Sequence, residues 1–269
     1  MKNQSGQALV LVLLSLAVVL TVVLYILSRG ITDVAVSSRQ EESVRAFSAA
    51  EAGIEKALVI GNSSSLIGDA SYTASVSNFA EGSKSFNYPI LLYSGDSSTI
   101  WFASHDATPG FTGNVIEVCW GKPGTRSDTD TTPAAEIIIY YGSTKVARVA
   151  YDSNNSRRVT NHFSPPNSGI CSIGGTNYAF GKNFNLSSLG VSGTLQFMRV
   201  KMLYNTDVSH PIGVNVNFSG NSVLPSQGKN IVSTGIAGVS NRRIEVFQGW
   251  PEIPSIFEYP IYSPSGLTK

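Results

Sequence analysis

Hydrophobic and polar positions divide the chain into three kinds of stretch. Residues 8–27 carry no charge and are broken in polarity only by Ser15 and Thr21. As a helix rising ~1.5 Å per residue they cover about 30 Å, the thickness of a bilayer's hydrocarbon core. The pattern predicts a membrane span. A cleaved secretory signal is the competing reading, but its apolar region usually runs ~7–15 residues and ends at a small-residue cleavage site. Residues 24–29, Leu-Tyr-Ile-Leu-Ser-Arg, offer no such site.

Behind the span, residues 31–58 contain no proline, and Val44, Phe47, Ala50, Ile54, Ala57 and Leu58 recur at three- and four-residue spacing. This predicts one face of an amphipathic helix. Glu41 stands four residues before Arg45, which supports the solvated face, and Gly61 followed by Asn62 predicts the C-terminal stop. Gly30 and Gly53 are candidate bends. Run together, the two stretches predict one helix over residues 7–60, about 80 Å long.

The rest of the chain reads with period two. Tyr72, Ala74 and Val76 alternate with Thr73 and Ser75, and residues 229–248 read as a hairpin around residues 238–241. Between them, residues 95–225 predict a separate β domain of short strands with frequent Gly, Asn, Ser and Asp turns. Ile212, Val214, Val216 and Phe218 share one face of a strand, and Met198, Val200, Met202 and Tyr204 share one face of another, with Arg199, Lys201 and Leu203 opposite. Residues 137–141 are continuously apolar, as in a more buried strand. Ile116, Val118 and Trp120 fall on one face, Glu117 and Cys119 on the other. The predicted fold is α+β: a long N-terminal helix packed on an antiparallel sheet formed by residues 61–94 and 226–262, with an inserted β-sandwich-like domain over residues 95–225.

Composition sharpens this picture. Charged residues make up 14% of the chain, below the roughly 25% of an average soluble domain, and the polar positions are filled by uncharged residues, which suits an exported β-rich domain. Nineteen Lys and Arg against eighteen Asp and Glu argue against a polyanionic partner as the main business. Lys2 before the span and Arg29 after it nearly balance the positive-inside bias, so an inside N-terminus is inferred from the bulk of the exported chain behind the span. Cys119 and Cys171 are too few for a disulfide scaffold, and export leaves open whether they pair or stay reduced.

Three segments carry a resemblance to a known family. The short polar stretch of residues 1–6, directly followed by the apolar helix, resembles the leader of the type IV pilin superfamily. The resemblance implies that Gly6 is the last leader residue before prepilin-peptidase cleavage and that Gln7 begins the mature chain, as a methylated residue. Arg45, Ala46, Phe47, Ser48, Ala49, Ala50, Glu51, Ala52, Gly53, Ile54 and Glu55 resemble the Phe-x-Ala-Ala-Glu-Ala-Gly-Ile-Glu segment of PilX-type minor pilins. Arg242 to Glu258, with Arg243, Ile244, Glu245, Val246, Pro254, Ser255, Ile256 and Phe257, resembles the last strand and closing tail of such proteins. The middle of the chain carries no resemblance, and taken alone the segment around Phe47 would be an ordinary alanine-rich helix.

One position departs from the family. Ordinary pilins have a glutamate as fifth residue of the mature chain, thought to meet a neighbour's N-terminal amine; here it is Leu11. The resemblance therefore implies a minor pilin assembled through Leu11, Phe47, Glu51 and Ile54 of the helix, in a priming or tip complex. The K-type pseudopilin of type II secretion, which also lacks that glutamate, is an alternative; so is a membrane-tethered binding module that does not assemble. The implied partners are other pilins and minor pilins, prepilin peptidase, an inner-membrane assembly platform, membrane lipid and a surface ligand of unknown kind. The implied location is the cytoplasmic membrane, single-pass, then the pilus or cell surface.

Catalytic patterns are weak by comparison. His105, His162 and His210 lie in turn-rich stretches without metal-ligand spacing, and Ser226 with Lys229 has serine–lysine spacing that chance supplies easily in a serine-rich chain. Asp128 and Asp130 could help bind calcium, but no twelve-residue ligand pattern follows, so a solvated loop is expected. No enzyme activity, metal or cofactor is expected. The tail, with Trp250, Pro251, Pro254, Phe257, Tyr259, Pro260 and Tyr262, is expected to be an extended staple over its own domain rather than a ligand for another protein.

Overall fold

The computed structural model describes residues 5–105, 110–220 and 222–252, with side chains from residue 9 onward except at Ser219. The tail residues Pro254 to Tyr262 and the leader residues 1–4 lie outside this range. The fold is α+β. One helix, α1 (Ser5–Ile60), is followed by fourteen strands, a second short helix and two 3-10 turns among the described residues. The chain divides into two compact units: Met1–Val76 with Ile231–Val246, and Ser77–Asn230 with Phe247 onward. The β domain expected over residues 95–225 thus has its counterpart in a unit that begins at Ser77 and takes back the chain from Phe247.

In the first unit, α1 runs unbroken for 56 residues, about 84 Å at 1.5 Å per residue. Neither Gly30 nor Gly53 interrupts it. It ends where Gly61 takes φ +80° and donates its N–H to Ala57 O at 3.0 Å. Strands β1 (Ser63–Ile67), β2 (Ala70–Asn78), β13 (Gly228–Ala237) and β14 (Ser240–Gly249) form one sheet in the order β1-β2-β13-β14. Asn62 Oδ1 accepts from Val76 N at 2.6 Å, tying the helix end to β2.

Half of the predicted helix face packs on this sheet: Ala50, Ile54 and Ala57 do, and Val44, Phe47 and Leu58 do not. Val44, Phe47 and Leu58 are exposed, at 61%, 46% and 46%, while Ala46, Ala49, Ala50, Ile54 and Ala57 are buried with Ala70, Tyr72, Ala74, Ile231 and Ala237. Small residues win because they let main chain approach main chain. At Gly53 an added Cβ would meet Ser233 and Tyr72, and at Gly235 it would meet the helix backbone at Ala46 and Ala50. Burying this face at roughly 25 cal/mol per Å2 of apolar area is what holds the second half of the helix.

The second unit is built on two four-stranded sheets with a shared core. The first has the order β10-β5-β12-β3, from β3 (Ser85–Asn87), β5 (Val115–Trp120), β10 (Phe180–Asn185) and β12 (Ile212–Asn215). The other has the order β4-β11-β6-β7, from β4 (Ser97–Trp101), β6 (Ala134–Tyr141), β7 (Lys145–Asp152) and β11 (Leu195–Leu203). All the pairings within these two sheets are antiparallel. Ile116, Val118 and Trp120 from one sheet and Ile137, Ile139, Met198, Val200 and Met202 from the other are buried in one cluster, the arrangement of a sandwich.

Two strand expectations end early. Asn215 Oδ1 accepts from Asn217 N at 2.9 Å and turns the chain into a 3-10 segment, Asn217–Ser219, so Phe218 is 54% exposed rather than core. Tyr204 has φ +72° and leaves β11 instead of continuing its inner face. A small hairpin, β8 (Cys171–Ile173) with β9 (Thr176–Tyr178), closes over the outer side of β5: Cys119, Cys171, Ile173 and Tyr178 form their own buried cluster.

Candidate functional site

Leu9 to Gln40 of α1 are all exposed, and this stretch includes the apolar run of residues 9–27. The helix is long and apolar enough to cross a membrane, and none of its most apolar window is buried within the molecule. The two hydroxyls within the apolar run, and one just beyond it, are satisfied within the helix. Ser15 donates to Val12 O at 2.9 Å, Thr21 to Ala17 O at 2.7 Å and Thr32 to Ser28 O at 3.0 Å. A hydroxyl in hydrocarbon needs such a partner, because no water is there to supply one.

The expected assembly residues fall on both halves of this helix. Leu11 stands in the bare apolar half, so no carboxylate interrupts it; Gly6 and Gln7 lie in the helix backbone, with side chains outside the described residues. In the packed half, Ile54 is turned into the sheet while Phe47 and Glu51 face outward. A groove of about 420 Å3 runs beside them, lined by Val44, Ser48, Ala49, Ala52 and Ile67 among others.

Polar contacts between helix and hairpin were not legible from spacing. Glu42 Oε2 accepts from Val239 N at 3.2 Å at the β13–β14 turn, and Arg242 donates to Ser43 Oγ at 2.9 and 2.6 Å. Arg45 pairs with Glu41 at 2.5 Å and lies 3.6 Å from Asp69. These exposed pairs fix the orientation of the helix more than they stabilise it.

In the second unit, Cys119 and Cys171 form a disulfide with Cα atoms 5.8 Å apart. Glu117 lies beside the two sulfurs, but a disulfide offers no thiolate and the trio is no metal site. Tyr178, against the disulfide, donates to Asn87 Oδ1 at 2.7 Å, and burial pushes its phenol up to about 12.

The scattered candidate catalytic residues are each engaged elsewhere. Ser226 Oγ donates to Gly228 O at 2.8 Å, and Lys229 Nζ lies 6.0 Å from the Trp250 ring. His210 Nδ1 accepts from Lys122 N at 3.0 Å, and burial holds the ring below its usual pKa. His105 stacks on Trp250, and His162 caps the short helix α2 (Asn155–Asn161).

Asp128 is held by Arg126 at 2.9 and 2.7 Å rather than offered to a cation. Its loop is gripped by Arg157 of α2, which donates to Asp130 O at 2.8 Å, to Thr132 O at 2.6 Å and to both carboxylate oxygens of Asp152 at 2.7 and 2.8 Å. The Arg157 guanidinium also lies 3.8 Å from the Tyr204 ring centroid. Asn154 starts α2 by accepting from Arg157 N at 3.1 Å. The charge pattern alone had not marked this cluster; the run Asn154-Asn155-Ser156 was its one signal, as a helix cap.

No family model matches the chain, and no curated protein matches it either.

Proposed function

We propose that this chain is a minor pilin or pilin-like subunit of a type IV filament system, held in the membrane and assembled through α1, with the second unit exposed outside. The observation that carries the reading is the division of labour along one unbroken helix. Its first half is apolar and bare, and its second half is bound to a sheet through small residues. A bare half of this length needs lipid before assembly and neighbouring helices after it. The outward Phe47 and Glu51, with the groove beside them, leave the packed half a surface for neighbours as well.

Leu11 supports a minor rather than a repeating role, because it cannot neutralise a neighbour's buried amine. The same residue favours a second reading, a membrane-tethered module that stays in the bilayer. Mass spectrometry of the N-terminus in the membrane and pilus fractions tests the proposal. A mature chain beginning at Gln7, and accumulation of the unshortened chain for Gly6→Val, are expected. An intact leader in an otherwise piliated cell would sink the proposal and leave the tethered module.

A further inference from the structure

One row of polar side chains crosses the whole outer face of the β10-β5-β12-β3 sheet. Asn183 of β10 stands opposite Glu117 of β5, Glu117 opposite Asn215 of β12, and Asn215 opposite Ser85 of β3. Residues directly opposite each other share a face of an antiparallel sheet. The face is the outer one, because the neighbours along each strand, Phe184, Ile116, Val118, Val214 and Phe86, point into the sandwich core. The row thus sets a carboxylate between two carboxamides and holds no cation.

Hydrogen bonds fix these groups in place and use only part of their capacity. Asn215 Nδ2 donates to Glu117 Oε2 at 2.8 Å, and Asn215 Oδ1 accepts from Asn217 N at 2.9 Å. Asn167, beside β10, is held at two points. Its N–H donates to Gly181 O at 2.8 Å and its Nδ2 to Asn183 Oδ1 at 2.7 Å. Asn183 Nδ2 therefore remains as a donor, and Glu117 Oε1 and Asn167 Oδ1 as acceptors, without protein partners among the described residues. Asn183 and Asn167 are exposed and Glu117 is half-buried, so all three reach solvent. A cleft of about 100 Å3 opens beside them, walled by Glu117, Asn167, Gly169, Cys171 and Gly181. The disulfide holds the Cys171 wall, and a Cβ at Gly181 would strike Cys171 Sγ, so glycine sets how closely that wall approaches.

We propose that Asn183, Glu117 and Asn167 form a binding site for a neutral saccharide on the outer face of this sheet. A sugar hydroxyl both donates and accepts, so a single one bridges Asn183 Nδ2 and Glu117 Oε1, which stand on directly opposite positions. The bond to the carboxylate is the stronger, charge-assisted kind. A neighbouring hydroxyl donates to Asn167 Oδ1. Because the amides are already held by one another, little side-chain freedom is lost on binding. The cleft is far smaller than the roughly 300 Å3 of a pocket that encloses a ligand, so it takes one ring substituent while the sugar lies on the open row. Charge narrows the class. Glu117 without a cation in the row repels sulfated and carboxylated sugars. A calcium ion would find a single carboxylate, since the carboxamide oxygens of Asn183 and Asn215 are already engaged. This inference stands apart from the filament proposal.

The test uses the full chain in micelles of a detergent without a sugar head group. Lactose, maltotriose, chitotriose and mannotriose are the probes, a sulfated heparin disaccharide is the anionic control, and saturation-transfer NMR with titration calorimetry reads binding. At least one neutral probe is expected to bind and the heparin disaccharide is not. Asn183→Ala, at an exposed position, and Glu117→Gln, which keeps the side chain's shape, should each weaken that binding at least tenfold. The melting temperature and the disulfide should stay as in the native chain. Failure of every neutral probe to bind, unchanged binding in either variant, or preference for the heparin disaccharide would overturn the proposal.

Discussion

Gly235 of β13 lies against the main chain of Ala46 on α1, so closely that a Cβ there would collide with the Ala46 carbonyl oxygen. The helix is seated on the sheet by absence of side chains at the contact. Gly235→Val should therefore lift the helix from the sheet, although valine suits a strand better than glycine does. Overpacking of this kind typically costs about 1–3 kcal/mol. Faster tryptic cleavage after Lys56 is the expected reading. Gly30→Ala, at a helix position with nothing within 4 Å, is the control and should leave the rate unchanged.

The Arg157–Asp152 pair makes a prediction with a pH signature. Burial works to raise the Asp152 carboxyl, but hydrogen bonds from Arg157, Asn154 N–H and Asn161 outweigh it and hold the pKa below the usual carboxylate value. A depressed folded-state pKa contributes stability that is present above the unfolded value, near ~3.9, and is lost as pH falls through the folded one. Arg157→Ala leaves a fully buried carboxylate without its cation, at a cost of about 3–5 kcal/mol at neutral pH. The cost should shrink on acidification, because the variant's Asp152 takes up its proton at higher pH. Denaturant midpoints at pH 7 and pH 3 check this; an equal loss at both would show that packing on Tyr204, not charge, carries the contact.

How the sequence relates to these contacts depends on what each contact uses. The span and the length of α1 were legible because a charge-free run and a proline-free run are one-dimensional signals. The packed face was legible in part: the spacing marked Ala50, Ile54 and Ala57, but it also favoured Val44, Phe47 and Leu58, while close approach brought in Ala46, Ala49 and Gly53. The alternation of β5 and β11 separated inner from outer residues correctly, but it left Arg199 and Lys201 for solvent, and the structure buries both. β1 begins with three serines and α2 is short and polar, so neither has an apolar period. Glu252 meeting Thr99 across 153 residues, like Arg157 reaching Asp130, belongs to tertiary structure alone.

The disulfide closes a sequence separation of 52 residues. Loop-closure entropy for such a loop amounts to about 4 kcal/mol in the unfolded chain. Replacing both cysteines, as Cys119→Ala with Cys171→Ala, should lower the unfolding temperature of the second unit by roughly 8–16 °C, at 2–4 °C per kcal/mol for a unit of this size. The same drop is expected when the native protein is unfolded with a reductant present. Scanning calorimetry with and without reductant measures it. A double-alanine chain as stable as the native one would mean that the β8–β9 hairpin holds by Ile173 and Tyr178 alone.

Leu11→Glu tests why the bare half of the helix is as apolar as it is. A carboxylate in the bilayer costs about 2.5–3.5 kcal/mol at mid-membrane, so the variant should insert less readily as a monomer. In an assembly the balance reverses, because a neighbour's N-terminal amine would offset that cost and would itself no longer be left unpaired. If the proposed filament role holds, the variant chain should be recovered from sheared filaments at several-fold higher copy number relative to the shaft subunit, and spread along them rather than confined to one end. Quantitative mass spectrometry and immunogold labelling read the two effects separately. An unchanged copy number would mean that Leu11 does not set how often this helix is incorporated, and the limit would then have to lie with the outward residues of the packed half, Phe47 and Glu51.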